Sequence, residues 1–328
     1  DITSITIPSS VTAVGEQAFA HCDSLTSISI PSSITSIPDQ AFFRCINLSS
    51  ISLPSSINSI GSSAFYGCSK LTSIVIPAGV TEIGGFYDCS SLVSVTIPTS
   101  VTTIRGDAFH GCTSLASIAI PDSVTSIGRS AFFGCSSLAS IAIPKGVTTI
   151  EGQTFAVCSN LKSVALPNGL TAIEEGVFDS CSNLTDISIP ATVTTIGNAA
   201  FRGCSSLPSI TIPASVTSIG DQAFRFCPSI TTCLFLGDAP DTFGSSVFDY
   251  TLIDFTTLHY PDSEGFLSPY WNSYPSETIQ SAASIAVAAR TKNSVSVIRD
   301  GKPMALNEGD PIFLNDRVTT GVNSFAEI

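Results

Sequence analysis

Along most of the chain, short runs of alternating apolar and polar residues return at one spacing. In Leu25-Thr26-Ser27-Ile28-Ser29-Ile30 the alternation is that of a strand buried on one face only. Pro31 ends the run, because it has no N–H for a strand ladder. Ile34-Thr35-Ser36-Ile37 predicts a second, shorter extended stretch. Its equivalents end in glycine at Gly15, Gly61, Gly128, Gly197 and Gly220, which predicts a turn with positive φ. Ala41-Phe42-Phe43-Arg44-Cys45 is then long enough for about one helical turn, with its Ala, Phe and Cys facing inward.

The cysteines supply the interval. They fall at positions 22, 45, 68, 89, 112, 135, 158, 181, 204 and 227, a spacing of 23 broken by one step of 21 between Cys68 and Cys89. Phe lies 3 residues before each, from Phe19 to Phe224, and Leu lies 3 after, from Leu25 to Leu207, with Ile230 in the last place. Such a period predicts a solenoid. A single unit buries almost nothing, whereas stacking places Leu on Leu, Ile on Ile and Phe on Phe, so stability comes from neighbouring coils. In the short unit, Ile83-Gly84-Gly85-Phe86 stands against Ile60-Gly61-Ser62-Ser63-Ala64-Phe65. The two missing residues lie between the glycine and the Phe, so strands and core columns are expected to keep register.

The unit L-x-x-I-x-I-P followed by I-G-x-x-A-F-x-x-C resembles the BspA-type leucine-rich repeat over residues 1–230, as ten units of which one has 21 residues. The resemblance implies a right-handed, curved leucine-rich-repeat solenoid with a parallel β-sheet on its concave face and short strands and helical turns elsewhere. It also implies an extracellular or cell-surface location, in bacteria, and a non-enzymatic module that binds protein or glycan on a cell or matrix surface. Residues 231–280 resemble the divergent segment that closes such arrays, with Trp271, Tyr250, Tyr260, Tyr270 and Tyr274 read as an aromatic cap. Residues 281–293 read as a linker. Residues 294–328 read as a small β segment resembling the opening of a FecR-type β-domain, cut short at Ile328. In that stretch Ser294 to Pro303 predicts a strand running into a tight turn. The chain opens partway through a unit and carries no targeting segment, as expected of a piece of something longer. Two other roles fit the same residues: a structural spacer, and the sensing part of a FecR-like envelope regulator.

Charge narrows the partners. Charged residues are only 12% of the chain and the formal net charge is -13, so a phosphate backbone would be repelled and nucleic acid is not an expected partner. No apolar run approaches the ~18 residues of a membrane span.

The regular thiols are the most conspicuous candidate chemistry. They contain no C-x-x-C and no His at zinc-site spacing. Thiols on adjacent coils would point the same way, about 4.8 Å apart, where a disulfide needs converging Cβ atoms at about 3.8 Å. A buried thiol column without metal or cofactor is therefore expected, with Cys233, which breaks the period, as a possible partner for Cys227. His21, His110 and His259, and the acidic Glu174, Glu175 and Asp221, read as solvated positions without a catalytic neighbour.

What remains is surface. The outward positions of the main strands are Ser27, Ser29, Ser50, Ser52, Ser73, Ser94, Thr96, Ser117, Ser140, Ser163, Asp186, Ser188, Ser209 and Thr211, joined by Val75, Ala119, Ala142 and Ala165. They form the candidate contact surface: small, nearly uncharged and close to the backbone. A second row, including Thr102, Thr171 and Thr194, has the regular threonines seen on ice-binding solenoids.

Overall fold

The computed structural model describes residues 2–279 and, beyond them, the backbone of seven short strands between Ala286 and Glu327. The chain forms two units, Asp1–His259 with Ser263–Glu277, and Tyr260–Asp262 with Thr278–Ile328.

The first unit is a parallel-sheet β-solenoid of about 12 turns. Most coils add one strand to each of two rows. The first row contains Ser27–Ser29, Ser50–Ser52 and Ser140–Ala142, each with its middle residue inward. Ser27 lies opposite Ser50 and Ile28 opposite Ile51. The second row contains two-residue strands such as Thr149–Ile150 and Ala172–Ile173, with Ile150 opposite Ile173. Register survives the short unit, where Ser73 pairs with Ser94 and Ile74 with Val95. The missing residues are absorbed at Gly85, which has φ 94° and whose carbonyl accepts the Phe65 amide at 2.9 Å.

The third side differs from expectation: among the described residues there is no helix. Phe43 N–H bonds the Gln40 carbonyl and Cys45 N–H bonds the Phe42 carbonyl, as in successive turns. The amides between them leave the coil. Phe42 N–H bonds Ala64 O at 2.8 Å and Arg44 N–H bonds Tyr66 O at 2.6 Å. A helix satisfies its interior amides with carbonyls of its own segment. Left-handed residues at Gln40 and Arg44, both φ 56°, turn alternate amides toward the next coil instead. The side becomes a third hydrogen-bonded ladder between coils.

The five corner glycines also differ from expectation, since none of Gly15, Gly61, Gly128, Gly197 and Gly220 has positive φ. Four of them are there for close approach. A Cβ on Gly61 would stand 2.4 Å from Asp39 N, on Gly128 2.5 Å from Gly106 N, and on Gly197 2.6 Å from the Glu174 carbonyl carbon. On Gly220 it would stand 2.5 Å from Asn198 N. Gly15, in the first coil, has nothing within 4 Å.

Two columns fill the core. Phe rings stack from Phe19 to Phe248 with centroids 5.1–5.7 Å apart and planes within 23°, an offset arrangement that avoids a face-to-face sandwich. Beside them run the thiols. Each from Cys45 to Cys227 donates its S–H to the carbonyl of the Phe 26 residues (24 at the short unit) before it, at 2.9–3.2 Å. The thiol is thus both a small apolar filler and a donor to a buried carbonyl.

The solenoid continues past residue 230. Thr232–Phe235 and Thr256–His259 extend the first row in parallel, and Thr242–Phe243 extends the second. The antiparallel pair of Tyr270–Trp271 and Tyr274–Thr278 follows. Trp271 is buried against Phe235, Phe243 and Phe266. Tyr274 packs on Phe248 and donates its hydroxyl to Asp249 at 3.1 Å. Tyr250 and Tyr270 stay outside this packing, exposed.

In the second unit, Val295–Arg299 pairs antiparallel with Lys302–Ala305, Arg299 opposite Lys302, which is the expected strand and tight return. Arg317–Thr320 joins its other edge. Two short strands, Ala286–Val287 and Arg290–Lys292, fall in the stretch expected as a linker.

Candidate functional site

The outward flank of the first strand row is set by alternation: the middle Ile or Val faces the core, so its neighbours face out. Ser29, Ser50, Ser52, Ser73, Ser94, Thr96, Ser117, Ser140, Asp186, Ser188, Ser209 and Thr211 are exposed, while Ser27 and Ser163 are half-buried. Ser117 lies in a coil that forms no strand, although its inward Ile118 is buried.

Some hydroxyls elsewhere on the coils are engaged, although those of Ser36, Ser59 and Ser126 on the second strand row are not. Ser33 donates to Val11 O at 2.6 Å, Ser56 to Ile34 O at 2.7 Å, Ser123 to Val101 O at 2.7 Å and Ser215 to Val193 O at 2.6 Å. The threonine row does the same in part: Thr171 donates to Thr148 O at 3.0 Å and Thr194 to Thr171 O at 3.3 Å. These side chains tie each coil to the one before. By contrast, none of the candidate contact residues has a side-chain hydrogen bond among the described residues.

The flank is broken at Asp186, its single charged side chain. Ser163 pairs with Asp186 and Val164 with Ile187, but the ladder stops before Ser209–Ile212. Pro208 removes one bond between these coils. At that place in other coils, Thr185 N–H bonds Lys162 O and Thr231 N–H bonds Pro208 O, both at 3.0 Å, whereas proline has no N–H to give Thr185. A shallow groove of about 310 Å³ opens between the two strands, lined by Asp186, Ser188, Pro208, Ser209 and Thr211 among others. A second, about 300 Å³, lies on the other side of Asp186.

The core has no poised nucleophile. Burial pushes the thiols of Cys45, Cys158 and Cys227 up to about 12 from their ordinary 9.0, with the backbone hydrogen bond opposing it. Cys89, Cys112, Cys135, Cys181 and Cys204 are also raised well above the ordinary value, chiefly by burial. A protonated thiol is neither nucleophile nor metal ligand. Cys233 is buried and free, as is Cys227. Among the described residues no group of three or more His, Cys, Asp or Glu is placed to hold a metal ion, and no helix is long and apolar enough to cross a membrane.

Two histidines depart from the solvated reading. His110 is half-buried, stacked between Tyr87 and Phe133 at 4.2 and 4.6 Å, with Nδ1 3.1 Å from Asp107. His259 is buried against Phe266 at 4.5 Å. Nor are the acidic residues all free: Asp221 accepts from the amide and hydroxyl of Ser245 at 2.6 and 2.9 Å, which hold its carboxyl below the usual range. Asp179 pairs with Arg202.

Sequence reasoning passed over the half-buried aromatic column of Phe43, Tyr66, Tyr87, His110 and Phe133, although its spacing repeats that of the cysteines. It also passed over Pro208, whose place in the repeat is otherwise filled by residues with an amide.

The coil geometry has a counterpart among known proteins. The profile of the BspA type Leucine rich repeat region matches in 6 copies, over residues 1–86, 84–187 and 171–264. The chain belongs to this family. The BspA-type match stops at residue 264, short of the segment that resembles a FecR-type domain. No curated protein matches. A leucine-rich repeat protein from Bacteroides ovatus is 29% identical with a TM-score of 0.57, over 85% of this chain and 84% of that one. A leucine rich cell surface protein from Faecalibacterium prausnitzii is 29% identical with a TM-score of 0.48, over 80% and 89%. The pneumococcal vaccine antigen PcpA is 20% identical with a TM-score of 0.50, over 80% and 85%, a likeness of fold.

Proposed function

We propose that this BspA-type chain is a non-enzymatic binding module at a bacterial cell surface, and that it presents the outward flank of its first strand row to a protein or glycan. The observation that carries the reading is the division of hydroxyls. A set of hydroxyls beside the strands bonds the neighbouring coil, whereas those on the flank, all but Ser27 and Ser163 exposed, stay unengaged over coil after coil. Small side chains lose little rotamer freedom on contact, and free hydroxyls both donate and accept. The raised thiols and the absence of an acid–base constellation among the described residues favour binding over catalysis. The surface location rests on the family. By its resemblance, we also propose that residues 294–328 belong to a FecR-type β-domain.

The test uses the full chain against immobilised fibronectin, laminin and collagen and against a glycan array. Wild type should be retained on at least one, and a variant carrying Ser94→Lys, Ser117→Lys and Ser140→Lys should lose at least tenfold in affinity, about 1.4 kcal/mol, with its melting temperature unchanged. Equal retention of the variant would refute the flank as the contact surface. No retention of wild type on any probe would favour the spacer role.

A further inference from the structure

The residue just before each column cysteine is left-handed in every coil. The column runs His21, Arg44, Gly67, Asp88, Gly111, Gly134, Val157, Ser180, Gly203 and Phe226, and Tyr250 holds the same place in the next coil, with φ between 54° and 72° throughout. Glycine takes that conformation at no steric cost, and four coils use it. Two successive coils place large rings there instead. Core packing does not account for them, because Phe226 is 45% and Tyr250 64% exposed. Their rings stack on one another at 4.7 Å. Leu252 and Ile253, also exposed, follow directly.

A cation sits in the same place. The Arg225 guanidinium carbon lies 4.6 Å from the centroid of Phe226 and 5.1 Å from that of Tyr250. One coil earlier, Arg202 is neutralised by Asp179, Nε to Oδ1 3.1 Å. Arg225 has no acidic partner among the described residues, and its Nε has no hydrogen-bond partner. Asp249, one coil later, is held by the Tyr274 hydroxyl. In a chain of net charge -13, an unpaired guanidinium against two exposed rings, the second followed in sequence by two exposed aliphatic side chains, is unusual. The fold requires this left-handed backbone in every coil but not a large ring on it, so the strain carried by two successive rings points to use, and Arg with Tyr is the composition of interface hot spots.

We infer that Arg225, Phe226, Tyr250, Leu252 and Ile253 form a second binding site, on the turn side of the coils, for a protein segment carrying a carboxylate next to an apolar side chain. The carboxylate takes the free guanidinium as a charge-assisted pair, and the apolar neighbour covers the rings and Ile253. A protein fits better than an acidic sugar, since Leu252 and Ile253 give a sugar ring nothing to hydrogen-bond. The site does not depend on the strand flank.

The probe is a fluorescein-labelled twelve-residue peptide of Trp, Leu and Glu, read by anisotropy on the full chain. A counterpart with Gln for Glu and unlabelled sialyllactose as competitor complete the set. Wild type should bind the Glu peptide and prefer it to the Gln peptide by about fivefold or more, as expected for loss of a charged hydrogen bond. Tyr250→Gly and Phe226→Gly should each weaken binding about tenfold, with a melting temperature unchanged or raised because glycine relieves the left-handed backbone. Arg225→Gln should abolish the preference for Glu. The Ser94, Ser117 and Ser140 lysine variant should bind this peptide like wild type, which keeps failure of the flank reading separate. Absent binding by wild type, equal binding by the glycine variants, or a preserved Glu preference in Arg225→Gln overturns the inference. Binding of sialyllactose without the peptide would overturn it in favour of an acidic-glycan site.

Discussion

Gly128→Ala and Gly15→Ala change the same place in the repeat and should have opposite effects. At Gly128 the new Cβ would meet Gly106 N at 2.5 Å, Gly106 Cα at 2.9 Å and the Arg105 carbonyl carbon at 3.0 Å. Comfortable separations are about 3.5–4.0 Å, so the overlap is roughly 1 Å, and every atom met is backbone that cannot rotate aside. The two coils must part locally. Overpacking of this kind costs about 1–3 kcal/mol. Parting also stretches the bond from Gly128 N–H to Ile104 O, now 2.9 Å, worth about 1 kcal/mol. The sum is a loss of about 2–4 kcal/mol. At Gly15 nothing lies within 4 Å and φ is not positive, so alanine should be neutral or add up to about 1 kcal/mol by restricting the unfolded chain. Urea unfolding followed by far-UV circular dichroism measures both. Similar midpoints for the two variants, or a neutral Gly128→Ala, would refute coil-to-coil contact as the reason for these glycines.

Other substitutions test separate parts of the account. Val157 is β-branched, exposed and left-handed at φ 61°, so Val157→Gly should raise stability by about 1 kcal/mol; a lowered melting temperature would contradict the strain assigned there. Pro208→Thr should give Thr185 O its missing donor, add about 1 kcal/mol and protect the new amide from hydrogen exchange, with rapid exchange counting against a bond between these coils lost at Pro208. Alkali should unfold the solenoid. A thiol raised from 9.0 to about 12, as in Cys45, Cys158 and Cys227, keeps its proton in the folded state where the unfolded chain has lost it. The stabilisation is therefore complete below pH 9 and falls as pH rises from 9 toward 12. Urea midpoints that stay level across that window would contradict the burial of the column.

Repetition made the core legible and left the contacts between coils hidden. Phe42, Cys45 and Leu48 could be assigned inward because each recurs in register, and the strand at Ser27–Ser29 because Ile28 alternates with serine. The helical-turn expectation for Ala41 to Cys45 failed because successive turns and one helical turn have the same composition. What separates them is where the amides of Phe42 and Arg44 point, and their partners, Ala64 and Tyr66, belong to the next unit. The glycines were misread for a related reason: Gly61 reads as a turn residue in its own coil, whereas the demand for it comes from Asp39. The candidate surface was legible as a set of positions. That Ser33 is engaged and Ser29 free was not, since both are serines beside a strand and only the neighbouring carbonyl tells them apart.

Thiol accessibility tests the central claim most directly, that like side chains stack on like and leave the core without reactive chemistry. With a disulfide-exchange reagent at pH 8, native protein should release at most one equivalent quickly, from half-buried Cys22, and the other ten thiols only at the rate of unfolding. Several equivalents released while circular dichroism remains native would contradict the stacked column and the binding role built on it.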